Sequence, residues 1–557
     1  MKFKDMPYER ISVESIKEEM KTLIQKLKEA KDFEEAEALF LENEKLQGHV
    51  FTMCNLALVR HSINTEDKFY DEEQNYWNNA YPQIQEFNQE WTKALLDSPF
   101  KDNFAKKYGN IMFLNAEIDL KTFSPEIIPM MQEENELTTA YEKLLAGAQI
   151  PFEGKIYTIS QMSPFKNDKD DARRLAAWKA EGQWYKDNQG ELDRLYDKLV
   201  HLRDQMGKKL GYTDFTELGY YRMRRNCYDK QDVQKFREAV QKYVVPVAAK
   251  IYERQAERLG KSYPLSYADA AIEFCSGNPK PKGNPDEIVA SGKKFYDWLS
   301  PETSEFFNHM IDDELMDLLS TKGKQGGGYC TSFQDYKTPF IFANFNGTQH
   351  DIEVITHEAG HAFAAYLNRN RVPYECIWPS LEACEVHSMS MEFFTEPWMD
   401  LFFGDRAKDY LSMHFEEFLM FIPYGTMVDE FQNIVYKNPK MTPKERKLLW
   451  RTLEQEYKPH LDYADNAFME EGGFWQKQHH IYDLPYYYID YCIAGINALQ
   501  YKAWMDKDFQ GAWKSYMEFS KYSASLLFTE LEEKVGLMNP FKEGTIKKIV
   551  EDLEKNL

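Results

Sequence analysis

Residues 348–363 read TQHDIEVITHEAGHAF, and the spacing of their apolar members decides the local fold. Ile352, Ile355, Ala359 and Phe363 recur at intervals of three and four, the period of a helix that buries one face. Thr348 and Asp351 have the spacing of a capping box, with Asp in place of the usual Glu, so the helix is expected to begin there. On such a helix His357 and His361 lie one turn apart on one face, where both imidazoles can reach a single tetrahedral metal ion. A zinc ion held there would acidify a bound water, and Glu358, beside His357, would take its proton as it attacks a carbonyl. The competing explanation is a chance match in a polar helix of a chain with 12 histidines and abundant glutamate.

Two histidines leave the metal one protein ligand short. A metzincin continuation needs Gly three and His six positions beyond His361, where this chain has Ala364 and Leu367, so that pattern fails. The stretch PSLEACEVHSMSMEFF, residues 379–394, offers a carboxylate instead, with the turn RVPYECIWP folding it back onto the first helix. Glu382, Glu385 and Glu392 fall near one face, and His387 points elsewhere. By geometry Glu382 and Glu385 both remain open as the third ligand, and a solvated helix face explains most glutamates in such a position.

Outward from this core the chain is helical in pattern. Ile16, Met20, Leu23 and Leu27 recur at helical spacing behind Ser12, an expected N-cap, and DFEEAEALFLENEKLQGHVF continues as a second helix. Long charged helices follow in residues 71–96 and 171–211, and KIYTISQMS offers a short hairpin strand. The break in character comes at residues 320–348, where Gly326 to Gly328 precede TPFIFANF, an extended aromatic run that reads as a strand. The expected fold class is therefore predominantly α-helical, with a small β-sheet beside the histidine helix. No internal repeat or Pro/Ser linker divides the chain of 557 residues.

The net charge of -23 repels phosphate backbones and anionic lipid, so neither nucleic acid nor a membrane is an expected partner. The seven cysteines are scattered and form no C-x-x-C pair, which suits a reducing compartment. With no apolar run at its start and none near 20 residues elsewhere, the protein is expected to be soluble and cytoplasmic. Aromatic residues make up 15% of the chain, more than helical packing asks for; core packing accounts for them more simply than a peptide-binding surface.

The pair HEAGH and EVHSMSME resembles the signature of the thimet-oligopeptidase-type zinc metallopeptidases, and most closely the bacterial oligoendopeptidase F and Pz-peptidase group. That resemblance extends through FANFNGTQHDIEVITHEAGHAF, HHIYDLPYYYIDY and VGLMNPFKEG, and is strong over residues 191–557, the expected zincin-like catalytic region. Residues 1–190 form the expected N-terminal helical region. The family takes its third ligand from the first Glu of E-x-x-S-x-x-x-E, which implies Glu385 here, with Ser388 and Glu392 completing the motif. It implies one zinc ion per chain on His357, His361 and Glu385, with Glu392 and Glu353 orienting the histidines. It also implies two lobes flanking a deep channel that admits flexible oligopeptides.

In HHIYDLPYYYIDY, residues 479–491, a fixed phenol or imidazole can stabilise the charge that grows on a peptide oxygen during attack. By resemblance His480, Tyr488 and Tyr491 fill that role, with Tyr482 and Tyr487 as substitutes. The segment is one residue shorter than the thimet pattern between His and the first Tyr and lacks its glycines. Gly327 and Gly328, with Ala343 and Asn344 of the strand, form an expected edge or flap that pairs with substrate backbone; an ordinary surface hairpin is the alternative. These features imply a zinc endopeptidase of short peptides, with Pro- and Gly-rich, collagen-derived fragments implied by the Pz-peptidases. Its rivals are a dipeptidyl carboxypeptidase, which needs a cationic anchor, and a non-catalytic peptide-binding scaffold.

Overall fold

The computed structural model describes residues 1–463, 466–522 and 524–554. Its first helices follow the sequence pattern. In α1, Val13–Glu29, Ser12 Oγ accepts the Ser15 N–H at 3.0 Å, and Ile16, Met20, Leu23 and Leu27 are buried. The helix packs against α2, Phe33–Ile63, and α3, Lys68–Leu96. After α4, Ile128–Ala146, a hairpin pairs β1, Ile150–Phe152, with β2, Lys155–Tyr157.

The long helix α5, Asp171–Lys209, spans the expected division of the chain. Residue 190 lies in its middle, so the two expected regions are joined through one continuous helix. The main apolar core runs from Met6 to Leu553 and draws on both parts, with a small second cluster of Ile150, Phe152, Met162 and Ala177. Arg203 of α5, fully buried, shows how the parts are joined. It donates to Glu134 Oε1 at 2.6 Å and to the Tyr436 hydroxyl at 2.9 Å, far apart in sequence.

The sheet that positions the site has the order β3, Met316–Leu319, then β5, Thr338–Phe345, then β4, Tyr329–Phe333. β5 runs parallel to β3 and antiparallel to β4. TPFIFANF is thus a strand, as its composition requires, but it is the central one. Its aromatic and β-branched side chains fill both faces, and Thr338 to Ala343 are all buried. β4, directly after the three glycines, is one of the two edge strands.

From β5 the chain turns into α6, His350–Asn368, which packs on the sheet and on α7, Leu381–Phe394. The capping box expected at Thr348 does not form. The Asp351 carboxylate turns back to accept the backbone N–H groups of Asn346 at 2.9 Å and Gly347 at 2.8 Å. The Thr348 hydroxyl donates to Asn346 Oδ1 at 2.8 Å, and the helix starts two residues later. Behind α7 lie α8, Ala407–Lys437, then the short α9, His479–Asp483, and α10, Tyr488–Met505. Among the described residues no helix is long and apolar enough to cross a membrane.

Candidate metal centre

Close approach of α6 and α7 creates the site, and Gly360 inside HEAGH permits it. A Cβ there would lie 2.6 Å from Ser388 Cα and 2.7 Å from the His387 carbonyl, both backbone atoms of α7. With hydrogen in its place the helices meet, and Glu385 comes opposite the two histidines. Its Oε2 lies 3.2 Å from His357 Nε2 and 3.5 Å from His361 Nε2. All three donor atoms fall within 4.8 Å of one another. A tetrahedral ion bonded at about 2.1 Å requires donor separations of roughly 3.4 Å, so the two imidazoles and the carboxylate fit one metal ion.

Two of the three donors, His357 and Glu385, are held from behind. Glu392 Oε1 takes the His357 Nδ1 proton at 2.7 Å, and its other oxygen takes His414 Nε2 at 2.8 Å. The Ser388 hydroxyl donates to Glu385 Oε2 at 3.0 Å, and the Tyr487 hydroxyl donates to Glu385 Oε1. Burial pushes the Glu392 carboxyl up, but hydrogen bonds and charge from His357 and His414 outweigh it and hold it at about 2. Glu385 follows the same logic. Burial opposes its ionisation, and His361 and His357 overcome it, so the carboxyl lies well below the usual range.

Glu358 sits beside this set without joining it. It is buried, and its Oε2 has no hydrogen-bond partner among the described residues. Burial raises its carboxyl above the usual range despite the nearby His357 and His361. Gly328 leaves it room: a Cβ there would come within 3.3 Å of Glu358 Oε1.

Across a cleft of about 420 Å³ from Glu358 stand His480, Tyr488 and Tyr491. His480 Nδ1 accepts from the Gln478 amide at 3.0 Å, which leaves the imidazole proton on Nε2, 3.1 Å from the Tyr491 hydroxyl. Burial, helped by neighbouring His479, pulls His480 down to about 4, so at neutral pH it is an uncharged donor. Burial drives Tyr488 and Tyr491 well above the usual phenol range and keeps both protonated.

Two family models match this chain: the peptidase M3 N-terminal domain over residues 3–123 and peptidase family M3 over residues 299–550. A solved structure assigned as an oligoendopeptidase F is 44% identical, with TM-score 0.98, covering 100% of this chain and 98% of its own. Pz-peptidase A, solved with an inhibitor, gives the same identity, coverage and TM-score. An oligoendopeptidase F structure from Bacillus anthracis str. Ames is 43% identical, with TM-score 0.93 and the same coverage. The chain belongs to peptidase family M3. Its place is in the oligoendopeptidase F group. No curated protein sequence matches it.

As an M3 metallopeptidase the chain gathers His357, His361 and Glu385, with Glu358, His480, Tyr488 and Tyr491 around them. The remaining candidates lie outside the donor set. Glu382, the geometric rival of Glu385, turns to Tyr228, whose hydroxyl lies 3.4 Å from its Oε2. His387 packs against Tyr516 and Phe519, away from the cleft. Glu353 pairs with His350 Nδ1 at 3.1 Å, not with a histidine of the metal set. Tyr482 is in the core and bonds the Leu192 carbonyl at 3.2 Å.

Of the four residues expected to meet substrate, Gly328 lines the cleft, and Gly327 and Asn344 line an adjoining cavity. Ala343 is fully buried in the central strand, which rules out the contact expected of it. The Asn344 amide also holds the glycine loop, donating to the Gln325 and Gly327 carbonyls at 2.8 Å each. Sequence reasoning passed over His414, whose only signal is its contact with Glu392 across two helices, and Tyr487 as a support for Glu385.

Proposed function

We propose that the protein is a zinc-dependent endopeptidase of short oligopeptides, with one ion held by His357, His361 and Glu385. The observation that carries this reading is the convergence of those three donor atoms within 4.8 Å, with the partnerless carboxylate oxygen of Glu358 alongside. Two imidazoles and one carboxylate form the donor set that zinc takes in hydrolytic sites. When bound, zinc would supply Lewis acidity to a water and to the peptide carbonyl.

The chain's own groups then do the following work. Glu358 accepts the proton of the attacking water and passes it to the leaving amine, a task its raised carboxyl pKa suits. Tyr491, whose oxygen already receives the His480 proton, keeps its own phenol proton to donate to the oxygen that gains charge. Tyr488 lines the same wall. The free edge of β4 receives the substrate backbone near Gly328 to Cys330. Further along, Asn55 of α2 already occupies that strand, donating to the Ser332 carbonyl at 3.1 Å. The resemblance to Pz-peptidases seen in the sequence favours Pro- and Gly-rich peptides, and the seven unpaired cysteines agree with a cytoplasmic location.

The test is Glu358→Gln. It is expected to keep stoichiometric zinc, read by atomic absorption, and to lose cleavage of an internally labelled peptide by about a thousandfold or more. Wild-type products seen by mass spectrometry should come from internal bonds. Turnover retained in the variant would remove Glu358 from the chemistry.

A further inference from the structure

His350 and Val354, at one end of the catalytic cleft, also line a second cavity of about 240 Å³ beyond the Gly326–Gly327 loop. Two lysines reach this cavity from opposite parts of the chain. Lys166 ends the short helix Ser163–Lys166, and Lys477 ends the turn Phe474–Lys477, three residues before His480. Both ammonium groups share one carboxylate. Lys166 Nζ lies 2.6 Å from Glu181 Oε2, and Lys477 Nζ binds Glu181 Oε1. Glu181 is buried, and the Trp178 ring lies 4.7 Å from one cation and 5.2 Å from the other.

The other charged groups of this cavity are already matched. Lys324 pairs with Asp317 and donates to the Asp317 and Leu319 carbonyls at 3.2 and 2.7 Å. The Asp351 carboxylate is taken up by two backbone N–H groups. At Glu181 itself, Lys166 and Lys477 bring two positive charges to one negative charge, inside a protein whose net charge is -23. Burial, with Lys477 adding to it against the pull of Glu181, draws the Lys166 ammonium down to about 8, the response of a cation withdrawn from water.

We propose that this cavity is a carboxylate-binding subsite, in which Lys166 and Lys477 receive a carboxylate of a peptide whose backbone lies in the catalytic cleft. The inference rests on the peptidase reading and adds a specificity to it. A peptide's free C-terminus and an Asp or Glu side chain carry the same group. Either would complete a pattern of two ammonium ions and two carboxylates, with charge-assisted hydrogen bonds in a site largely shielded from water.

The experiment compares one cleavable peptide as its free acid and its C-terminal amide, and a second pair differing by Glu or Gln at an internal position. With wild-type enzyme the charged member of one pair is expected to show a KM about tenfold lower, which also tells the two sources apart. Lys166→Met leaves one ammonium facing one carboxylate and should abolish that preference. Glu181→Gln leaves two ammonium ions unopposed and should enlarge it. A triad that only ties the segments together would shift both members of a pair equally in both variants. Cleavage of both pairs without charge discrimination, or the same ratio in wild type and Lys166→Met, would overturn the subsite and leave the peptidase reading standing. Cleavage of no peptide would overturn that reading and the subsite with it.

Discussion

Glu392 spends both carboxylate oxygens on imidazoles, His357 on one side and His414 on the other. Fixing His357 Nδ1 in this way turns Nε2 toward Glu385, so a residue outside the donor set directs one inside it. Glu392→Gln keeps the shape but offers one acceptor and no charge. Metal affinity, read by competitive chelator titration, is expected to weaken by about 10- to 100-fold, while the melting temperature moves little. Unchanged affinity would mean that packing alone holds the ring. Tyr491→Phe removes the proposed phenol proton and should lower kcat about 100-fold with KM nearly constant, measured in steady-state peptide assays. These residues differ in how far the sequence reveals them. His357, Glu358 and His361 declare themselves through spacing on one helix. By contrast, His414 and the support Tyr487 gives to Glu385 depend on contacts between elements, and no local pattern marks either role.

At the scale of elements, the site depends on how closely α6 and α7 approach. Apolar periodicity reveals the first helix, and the family resemblance supplies the E-x-x-S-x-x-x-E pattern on the second. The glycine between the histidines had no reading until its neighbour across the gap was known. Gly360→Ala places a methyl group against α7 backbone on an element that cannot yield by rotating a side chain. A loss of about 2 kcal/mol in stability is expected from overpacking, with weakened metal binding, because ligands from both helices separate together. Denaturant titration and the chelator assay would read the two effects; full stability with full affinity would show that the helices have slack. The sheet carries a similar lesson. TPFIFANF is legible as a strand from composition, yet its central place depends on pairing with Met316–Leu319 and Tyr329–Phe333, which lie outside the run. The Asp351 cap failed for a comparable reason, since two loop amides took its carboxylate.

Over the whole molecule, Glu134 of α4 joins the two parts by accepting from Arg203 of α5 and from Arg222. Burial raises its carboxyl, but the two arginines outweigh that and bring it from 4.5 to about 2. Because the folded-state value is depressed, its contribution to stability is complete above about pH 4.5 and disappears as the pH falls toward 2. Glu134→Gln strands two arginines and should cost about 3 kcal/mol at neutral pH, a difference that shrinks on acidification. Unfolding curves of both proteins across that range would check it, and a gap independent of pH would assign the loss to shape alone. No run of residues around 134 points to this partnership, which spans much of the chain. The central claim is that one metal ion sits between α6 and α7, and anomalous diffraction at the zinc edge on zinc-replete crystals tests it most directly. A single strong peak about 2.0–2.2 Å from His357 Nε2, His361 Nε2 and a Glu385 oxygen is the expected result. An active enzyme with no peak there, or with a peak elsewhere, would contradict it.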